Sequence, residues 1–381
     1  MIEWLSHLPE AFEIHIYSQR VDDFERAFVL HRVPKLPGPH LINFLWWLAA
    51  CRVRLTWERL FQNSNYDLIF SSGAEWPGAD AICVHVVFAE YVHRAKERMK
   101  FLRNPVQRWP QILHRKLYYQ LAMFLERRAF TNSKTSLLVH STKTRNDVKH
   151  FYDSRGELSI LRLGIDHAVF NAATRSALRR EARTAIGLAV EEFAVLIVGN
   201  DWRNKGVPTL LDALVCLRAL PIALMIVSRE HPEACRLKVH EKRLDEKVRF
   251  LPPRKDIEFY YAAADAYAGP SVQDSYSMPP AEAMACGMPV IVSASAGVSE
   301  IITHQVDGLI LDDPTDADRL ASMISLLYED HEFRDRVGKR ANQTAQQYTW
   351  EKNGTELAAI FERILQRKSA SIGKAQCARE T

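Results

Sequence analysis

The chain has 381 residues, 47% of them hydrophobic and 25% charged, which is enough material for two full cores and makes two domains the expectation. Its formal net charge is only +4, so no global field calls for nucleic acid. Six cysteines (Cys51, Cys83, Cys216, Cys235, Cys286, Cys377) show neither CxxC nor His-paired spacing, which argues for a reducing compartment and against a disulfide frame or structural zinc site.

The opening MIEWLSHLPEAFEIHIYSQR has no basic-then-apolar start of the kind a signal peptide needs. It reads as a helix running into a strand, FEIHIYS. A doubly wound domain usually opens with a strand and a Gly-rich turn, and both are missing here. LINFLWWLAAC, Leu41–Cys51, contains Asn43 and falls short of the roughly 20 apolar residues that span a bilayer. It predicts a buried or surface-dipping helix in a soluble or peripheral, cytoplasmic protein. After the strands DLIFSS and AICVHVV comes a basic stretch, Arg94–Arg128, with Trp109, Ile112, Leu113, Leu117, Tyr118 and Tyr119 interleaved. Such a stretch is either a solvated helix face or a contact for an anionic membrane surface or another acidic partner.

SLLVHS and LSILRLG close the first half. Ile165–Ala189 is polar and strandless, and it marks a domain junction that we set at residue 170. Beyond it AVLIVGN, IALMIVS, VRFLPP, DAYAGPS, PVIVS and GLILDD alternate with helical patterns. Apolar runs of this kind specify parallel sheets covered on both faces, hence two doubly wound α/β domains in series, 1–170 and 171–349. A long amphipathic helix, with Leu357, Ile360, Phe361 and Ile364 at helical spacing, is expected over 350–368 and to pack back on the first domain. Residues 369–381 read as a frayed, disordered tail.

Two loops carry chemistry. In AVLIVGNDWRNKGVPTLLDAL a strand runs into Gly199, then a polar turn with Arg203 and Lys205, then Gly206 and a helix. A strand end followed by a helix N-terminus is an anion site, and two cations there can hold a pyrophosphate. The second loop, DSYSMPPAEAMACGMPVIVS, places Asp274 and Glu282 with seven residues between them. Pro279 and Pro280 suit the first turn of a helix, which puts Glu282 in that turn and Asp274 in the loop before it. On spacing alone, Glu282 is first a favourable charge at a helix dipole and Asp274 a turn former.

Taken together, these stretches resemble the retaining GT-B glycosyltransferases of glycosyltransferase family 4. PSVQDSYSMPPAEAMACGMPVIVSASAGVSEII matches the family's acid-x7-Glu motif, small-residue helix, Pro-Val strand, Gly turn and Glu. VGNDWRNKGVPTLLDAL, LRLGIDHAVFN and YTWEKNGTELAAIFERI match its phosphate loop, linker and closing helix. The resemblance implies two Rossmann-like domains facing across a cleft, and transfer of a sugar from a nucleotide-diphosphate sugar to a hydroxyl. It implies that no cofactor and no metal is used. It assigns Glu282 to the ribose hydroxyls, Asp274 to the donor sugar and diphosphate, and Lys205 with Arg203 to the leaving diphosphate. Gly199, Asn200, Ser277, Met278, Pro279, Gly297 and the backbone of Ala296–Val298 fall on its donor-contacting positions, with Arg254 in the nucleobase region Phe250–Arg254. A family His facing the donor sugar corresponds to His85, or less well to His93. The acceptor implied is a glycan or lipid-linked sugar of cell-surface synthesis, bound on the first domain. Asp274 stands where the family usually has Glu, and Asn200 where it commonly has Arg. A donor-binding accessory subunit, or another GT-B enzyme such as an epimerase or a phosphorylase, is the alternative.

Overall fold

The computed structural model describes residues 2–21, 24, 26–36, 38–61, 65–99 and 109–380. The chain divides into two units, Met1–Arg162 with Trp350–Thr381, and Leu163–Thr349. The boundary therefore falls after Arg162 and not at 170.

Unit 1 runs α1 (Ile2–Ser6), β1 (His15–Ser18), β2 (Val29–Arg32), α2 (His40–Phe61), β3 (Phe70–Ser71), β4 (Ala81–Val84), α3 (Phe88–Met99), α4 (Trp109–Phe130), β5 (Ser136–Val139), α5 (Thr142–Phe151) and β6 (Leu158–Ile160). β3-β4-β5-β6 form one parallel sheet, and β1 and β2 pair only with each other. The expected single sheet is thus split, since no strand among the described residues bridges its two parts. The interior strands β4 and β5 are wholly buried, as their unbroken apolar character requires. Glu126 of α4 accepts from the Phe88 and Ala89 backbone N–H groups at 2.7 and 3.3 Å. An acid on one helix thereby satisfies the open donors at the start of the next.

On α2, Leu48, Cys51 and Leu55 face inward, while Ile42, Leu45, Trp46, Val53, Trp57, Leu60 and Phe61 are exposed. No helix among the described residues is long and apolar enough to cross a membrane. Within the basic stretch, residues 100–108 and the side chains of 94–112 lie outside the described residues.

Unit 2 runs α6 (Ala172–Ile186), β7 (Phe193–Val198), α7 (Val207–Cys216), β8 (Ile222–Val227), α8 (Glu233–Glu241), β9 (Val248–Leu251), α9 (Glu258–Ala263), β10 (Ala266–Gly269), α10 (Met278–Ala285), β11 (Val290–Ser293), a 3-10 turn (Gly297–Ile301), β12 (Leu309–Leu311), α11 (Ala317–Glu329) and α12 (His331–Ala345). Its six parallel strands lie in the order β9-β8-β7-β10-β11-β12. This is a doubly wound sheet with its chain reversal between β7 and β10, where open α/β sheets bind their ligands. Separate apolar cores cover the two faces.

The polar junction segment belongs to this unit as α6, not to a linker. Arg175, Arg179 and Arg183, one turn apart along α6, donate to the Ala262, Ala263 and Ala264 carbonyls at the end of α9. Arg179 and Arg183 also pair with Asp265, at 2.5 and 3.1 Å. The cations of this polar stretch thus satisfy a helix C-terminus.

The last helix, α13, spans Trp350–Glu380. The expected frayed tail is helical up to Glu380, consistent with the Ala, Lys, Gln, Arg and Glu that fill SASIGKAQCARE. Within unit 1, Phe361 of α13 packs edge-on against Phe12 and Phe70, and Lys368 pairs with Asp80 at 3.0 Å. Gly354 lets α13 approach α1 closely, because a Cβ there would lie 2.3 Å from the His7 carbonyl oxygen. Gly354→Ala is therefore expected to lower unfolding free energy by about 1–3 kcal/mol, read by denaturant titration; an unchanged midpoint would contradict the close approach.

Candidate functional site

The site is built where β7 and β10 end side by side. After β7 the chain turns through Gly199, at φ +145°, and Asp201, at φ 58°, before Gly206, at φ +81°, starts α7. A Cβ on Gly206 would fall 2.1 Å from the Pro270 carbonyl oxygen, so only glycine lets this turn lie against the end of β10. Two further bonds join the loops: Val272 N–H donates to the Asn204 carbonyl at 2.7 Å, and Asn204 Nδ2 donates to the Gln273 carbonyl at 2.8 Å.

The third link is ionic. Lys205 Nζ donates to Asp274 Oδ2 at 2.5 Å, with side-chain exposures of only 18% and 16%. Such a pair is held in a medium that screens poorly, so each partner needs the other. Asp274 is fixed in turn by its own backbone. Its N–H donates to the Ser295 carbonyl at 3.3 Å and its carbonyl accepts from Gly297 N–H at 3.0 Å. Val298 N–H donates to the Tyr276 carbonyl at 2.7 Å, and Ala296 N–H to Ser293 at 3.1 Å. Of the N–H groups expected to meet sugar or phosphate, those of Gly297 and Val298 are therefore committed to holding the Asp274 loop, and that of Ala296 to its own turn.

Glu282 lies in α10, which starts at Ser277 with φ 76°. Pro279 and Pro280 occupy the first turn and have no N–H, so the helix start presents the Met278 N–H instead of a full set of donors. Tyr261 Oη donates to Glu282 Oε2 at 2.5 Å, which fixes one carboxyl oxygen. Burial pushes the Glu282 carboxyl up to about 7, with the Tyr261 bond working against that rise. Tyr261 has no local signature in the sequence; only the packing of α9 on α10 reveals its role.

The other expected donor residues divide. Arg203 stands exposed on the turn beside Lys205. Asn200 points elsewhere: its Oδ1 accepts from Ser228 Oγ at 3.1 Å and from Arg229 N–H at 3.0 Å, tying the β7 and β8 loops together. Arg254 pairs with Asp256 at 2.5 Å and lies 4.1 Å above the Phe259 ring, so its guanidinium is already engaged.

His85 belongs to unit 1, at the end of β4. Its Nδ1 lies 3.4 Å from His140 Nε2 and its ring stacks on Trp4 at 5.4 Å. Burial lowers both imidazoles to about 4 and keeps them neutral. His93 is exposed beside the Phe151 ring. In the same unit a cavity of about 540 Å³ is lined by His31, Trp46, Val53, Arg54, Trp57 and Glu58. Glu58 at its base is buried and bonded to Arg54 at 2.9 Å, His31 at 3.0 Å and Tyr66 at 3.2 Å.

The ionic link is testable by a double-mutant cycle. Lys205→Ala and Asp274→Ala are each expected to cost about 1–3 kcal/mol of unfolding free energy, less than a wholly buried pair would lose. The double variant should cost clearly less than the sum. Strictly additive costs would show that the two side chains are not coupled.

The profile of the family described as "Glycosyl transferases group 1" matches residues 179–344. A D-inositol 3-phosphate glycosyltransferase of Jonesia denitrificans is 28% identical over 251 residues, 62% of this chain and 59% of that one. Another of that description, from Pseudarthrobacter chlorophenolicus, is 30% identical over 219 residues, 55% and 51% of the two chains. The chain thus spans between half and three fifths of the length of these relatives. Among solved structures, WaaG, a glycosyltransferase involved in lipopolysaccharide biosynthesis, superposes with a TM-score of 0.75 at 20% identity, covering 94% of this chain and 95% of that one. Alr3699/HepE of Anabaena, solved with UDP and glucose, gives 0.65 at 18% identity, covering 95% of each. With the Lys205–Asp274 loops inside the matched span, the second unit is similar to the glycosyl transferases group 1 family, and the chain has the GT-B fold of these solved structures.

Proposed function

We propose that this chain transfers a sugar from a nucleotide-diphosphate sugar to a hydroxyl of a glycan or lipid-linked acceptor, with retention at the anomeric carbon and without a metal at the donor site. The observation that carries the reading is the largely buried Lys205–Asp274 pair at the chain reversal of the unit 2 sheet, with Glu282 anchored nearby in sequence by Tyr261.

In the proposed step the bond from the sugar's anomeric carbon to the diphosphate oxygen breaks, and its electron pair stays on that oxygen. Lys205, helped by Arg203, supplies the charge that stabilises the developing anion. The acceptor oxygen bonds to the same face of the carbon, and its proton passes to the departing phosphate oxygen. Asp274 holds Lys205 Nζ in place before the donor arrives and then shares it with the diphosphate. Ionised Glu282 takes the ribose hydroxyls. Nothing in this scheme asks for a carboxylate nucleophile, which separates it from retaining glycoside hydrolysis.

On the acceptor side, the exposed apolar face of α2 and the basic stretch Arg94–Arg128 support an amphiphilic substrate met at an anionic surface, the inner face of the cell membrane. The distribution of charge gives no reason to involve nucleic acid.

The direct test is turnover of a panel of nucleotide-diphosphate sugars, starting with UDP-glucose, without added Mg2+ or Mn2+. Product stereochemistry is read by proton NMR. We expect retained configuration, and a fall in kcat/KM of about 100- to 1,000-fold for Lys205→Ala. Binding of nucleotide with no turnover, unaffected by Lys205→Ala, would instead favour a donor-binding accessory role.

A second test uses pH. Between the ordinary carboxylate range and about 7, the folded chain keeps on Glu282 a proton that the unfolded chain has lost. Glu282 therefore subtracts stability as pH rises through that window, and its full cost is present above it. Ribose hydroxyls need the ionised form, so UDP affinity measured by calorimetry is expected to rise from about pH 6 to about pH 8, by up to about tenfold per unit below the midpoint. Glu282→Gln should bind UDP weakly at every pH. A flat profile in the native chain would remove Glu282 from the ribose site.

A further inference from the structure

The spacing of the cysteines hides a cluster that the fold assembles in unit 1. Cys83 and His85 are two residues apart on the β4 edge, so their side chains share one face of the sheet. β4 and β5 are parallel neighbours, with Val84 opposite Val139, so the residues that follow, His85 and His140, come side by side. The Cys83 Sγ and one ring nitrogen each of His85 and His140 all lie within 4.8 Å of one another. Two separations are much shorter: Sγ to His140 Nε2 is 3.3 Å, and His140 Nε2 to His85 Nδ1 is 3.4 Å.

The hydrogen bonds of this cluster converge on one nitrogen, His140 Nε2. His140 Nδ1 lies 2.9 Å from the Leu161 carbonyl, so that nitrogen carries the proton and donates. His140 Nε2 then has a single lone pair. The Cys83 thiol can donate to it, so His85 Nδ1 meets there either a lone pair already taken, if it is protonated, or another lone pair, if it is not. Beside them Trp4 packs its indole 5.4 Å from both imidazole centroids, and its Nε1 is buried without a hydrogen-bond partner among the described residues. Buried polar groups seldom stay unmatched, so the Trp4 indole N–H beside this crowded nitrogen calls for an explanation.

A cation resolves the mismatch, because it turns three competing groups into three ligands. Tetrahedral zinc, with bonds of about 2.3 Å to sulfur and 2.0–2.1 Å to nitrogen, sets its ligand atoms roughly 3.3–3.6 Å apart. The two short separations already fall at that spacing. The His140–Leu161 bond is the outer hydrogen bond that fixes a ligating imidazole in the right tautomer. We propose that Cys83 Sγ, His85 Nδ1 and His140 Nε2 form a binding site for one divalent transition metal ion, zinc before others, which ties β4 to β5 beneath Trp4. The thiol and imidazole ligands select zinc over magnesium or calcium. On binding, the Cys83 thiol gives up its proton to solvent and the sulfur lone pair goes to the metal. The fourth position falls to a water, for which the Trp4 indole N–H is a buried donor. The site is structural and lies in the unit that does not carry Lys205, Asp274 or Glu282. His85 is accordingly a metal ligand in this account, and not a group facing the donor sugar.

The test needs no sugar transfer, so it stands or falls separately from the proposed activity. Tag-free full-length chain is stripped with chelator and titrated with Zn2+, and with Co2+ as a spectroscopic probe. We expect a single ion per chain, a thiolate-to-cobalt charge-transfer band, proton release on binding and a raised Tm. Cys83→Ser should abolish the band and weaken binding by more than about 100-fold, the most that loss of an outer hydrogen bond costs such sites. Cys51→Ser should leave both unchanged. X-ray absorption of the zinc-loaded native chain gives a reading that depends on no variant, with one sulfur and two imidazoles expected around the ion. A native chain that shows no charge-transfer band, a shell of nitrogen and oxygen alone, or a band that survives Cys83→Ser would overturn the site.

Discussion

A largely buried lysine and aspartate, 2.5 Å apart, govern the second unit's site. Taking two charges from water is costly, and their attraction offsets that cost only when the geometry is fixed. Here the geometry is fixed from several directions. Gly206 allows the β7 loop to lie on Pro270, Asn204 stitches it to Val272 and Gln273, and the 295–298 loop clamps the Asp274 backbone. The shorter Asp, in place of the family's usual Glu, is held against Lys205 by this framework. A cation that is restrained but already paired is a suitable partner for an incoming diphosphate. When the anion enters, Lys205 passes from one anionic neighbour to two, and no lysine has to be brought in from solvent.

Much of unit 2 was legible in the sequence because its signals are local. Buried parallel strands appear as unbroken apolar runs such as FAVLIV and IALMIV, and these became β7 and β8. The positions of Lys205 and Asp274 follow from the strand ends that precede them. What could not be read depends on contacts between distant segments. The α6 arginines lie in a stretch that read only as a polar, strandless junction, and their role appears once α9 is set against them. Asn200 looked like a phosphate contact but joins the β7 and β8 loops. The N–H groups of Ala296–Val298 looked free for a ligand and are taken by their neighbours across the loop. Tyr261, which fixes Glu282, is one aromatic among several in EFYYAA.

Unit 1 was less legible for two physical reasons. Its strand β2, Val29–Arg32, is short and mostly exposed, so it lacks the apolar run that marks a buried strand. Its strands also fall into two sets, β1-β2 and β3-β4-β5-β6, which no strand among the described residues joins. The cysteine spacing pointed away from a metal, yet parallel pairing of β4 and β5 brings Cys83, His85 and His140 together across more than fifty residues of chain. Sequence spacing is a poor guide to ligand sets when strand register, not a short loop, assembles them.

The central claim is that Lys205, restrained by Asp274, receives the diphosphate of a nucleotide. Phosphorus NMR of UDP titrated with the full chain addresses it most directly. The account predicts a saturable shift and broadening of the diphosphate resonances, lost when Lys205 is replaced by alanine. Resonances that stay unchanged at saturating protein, or move equally with the Lys205→Ala chain, would contradict it.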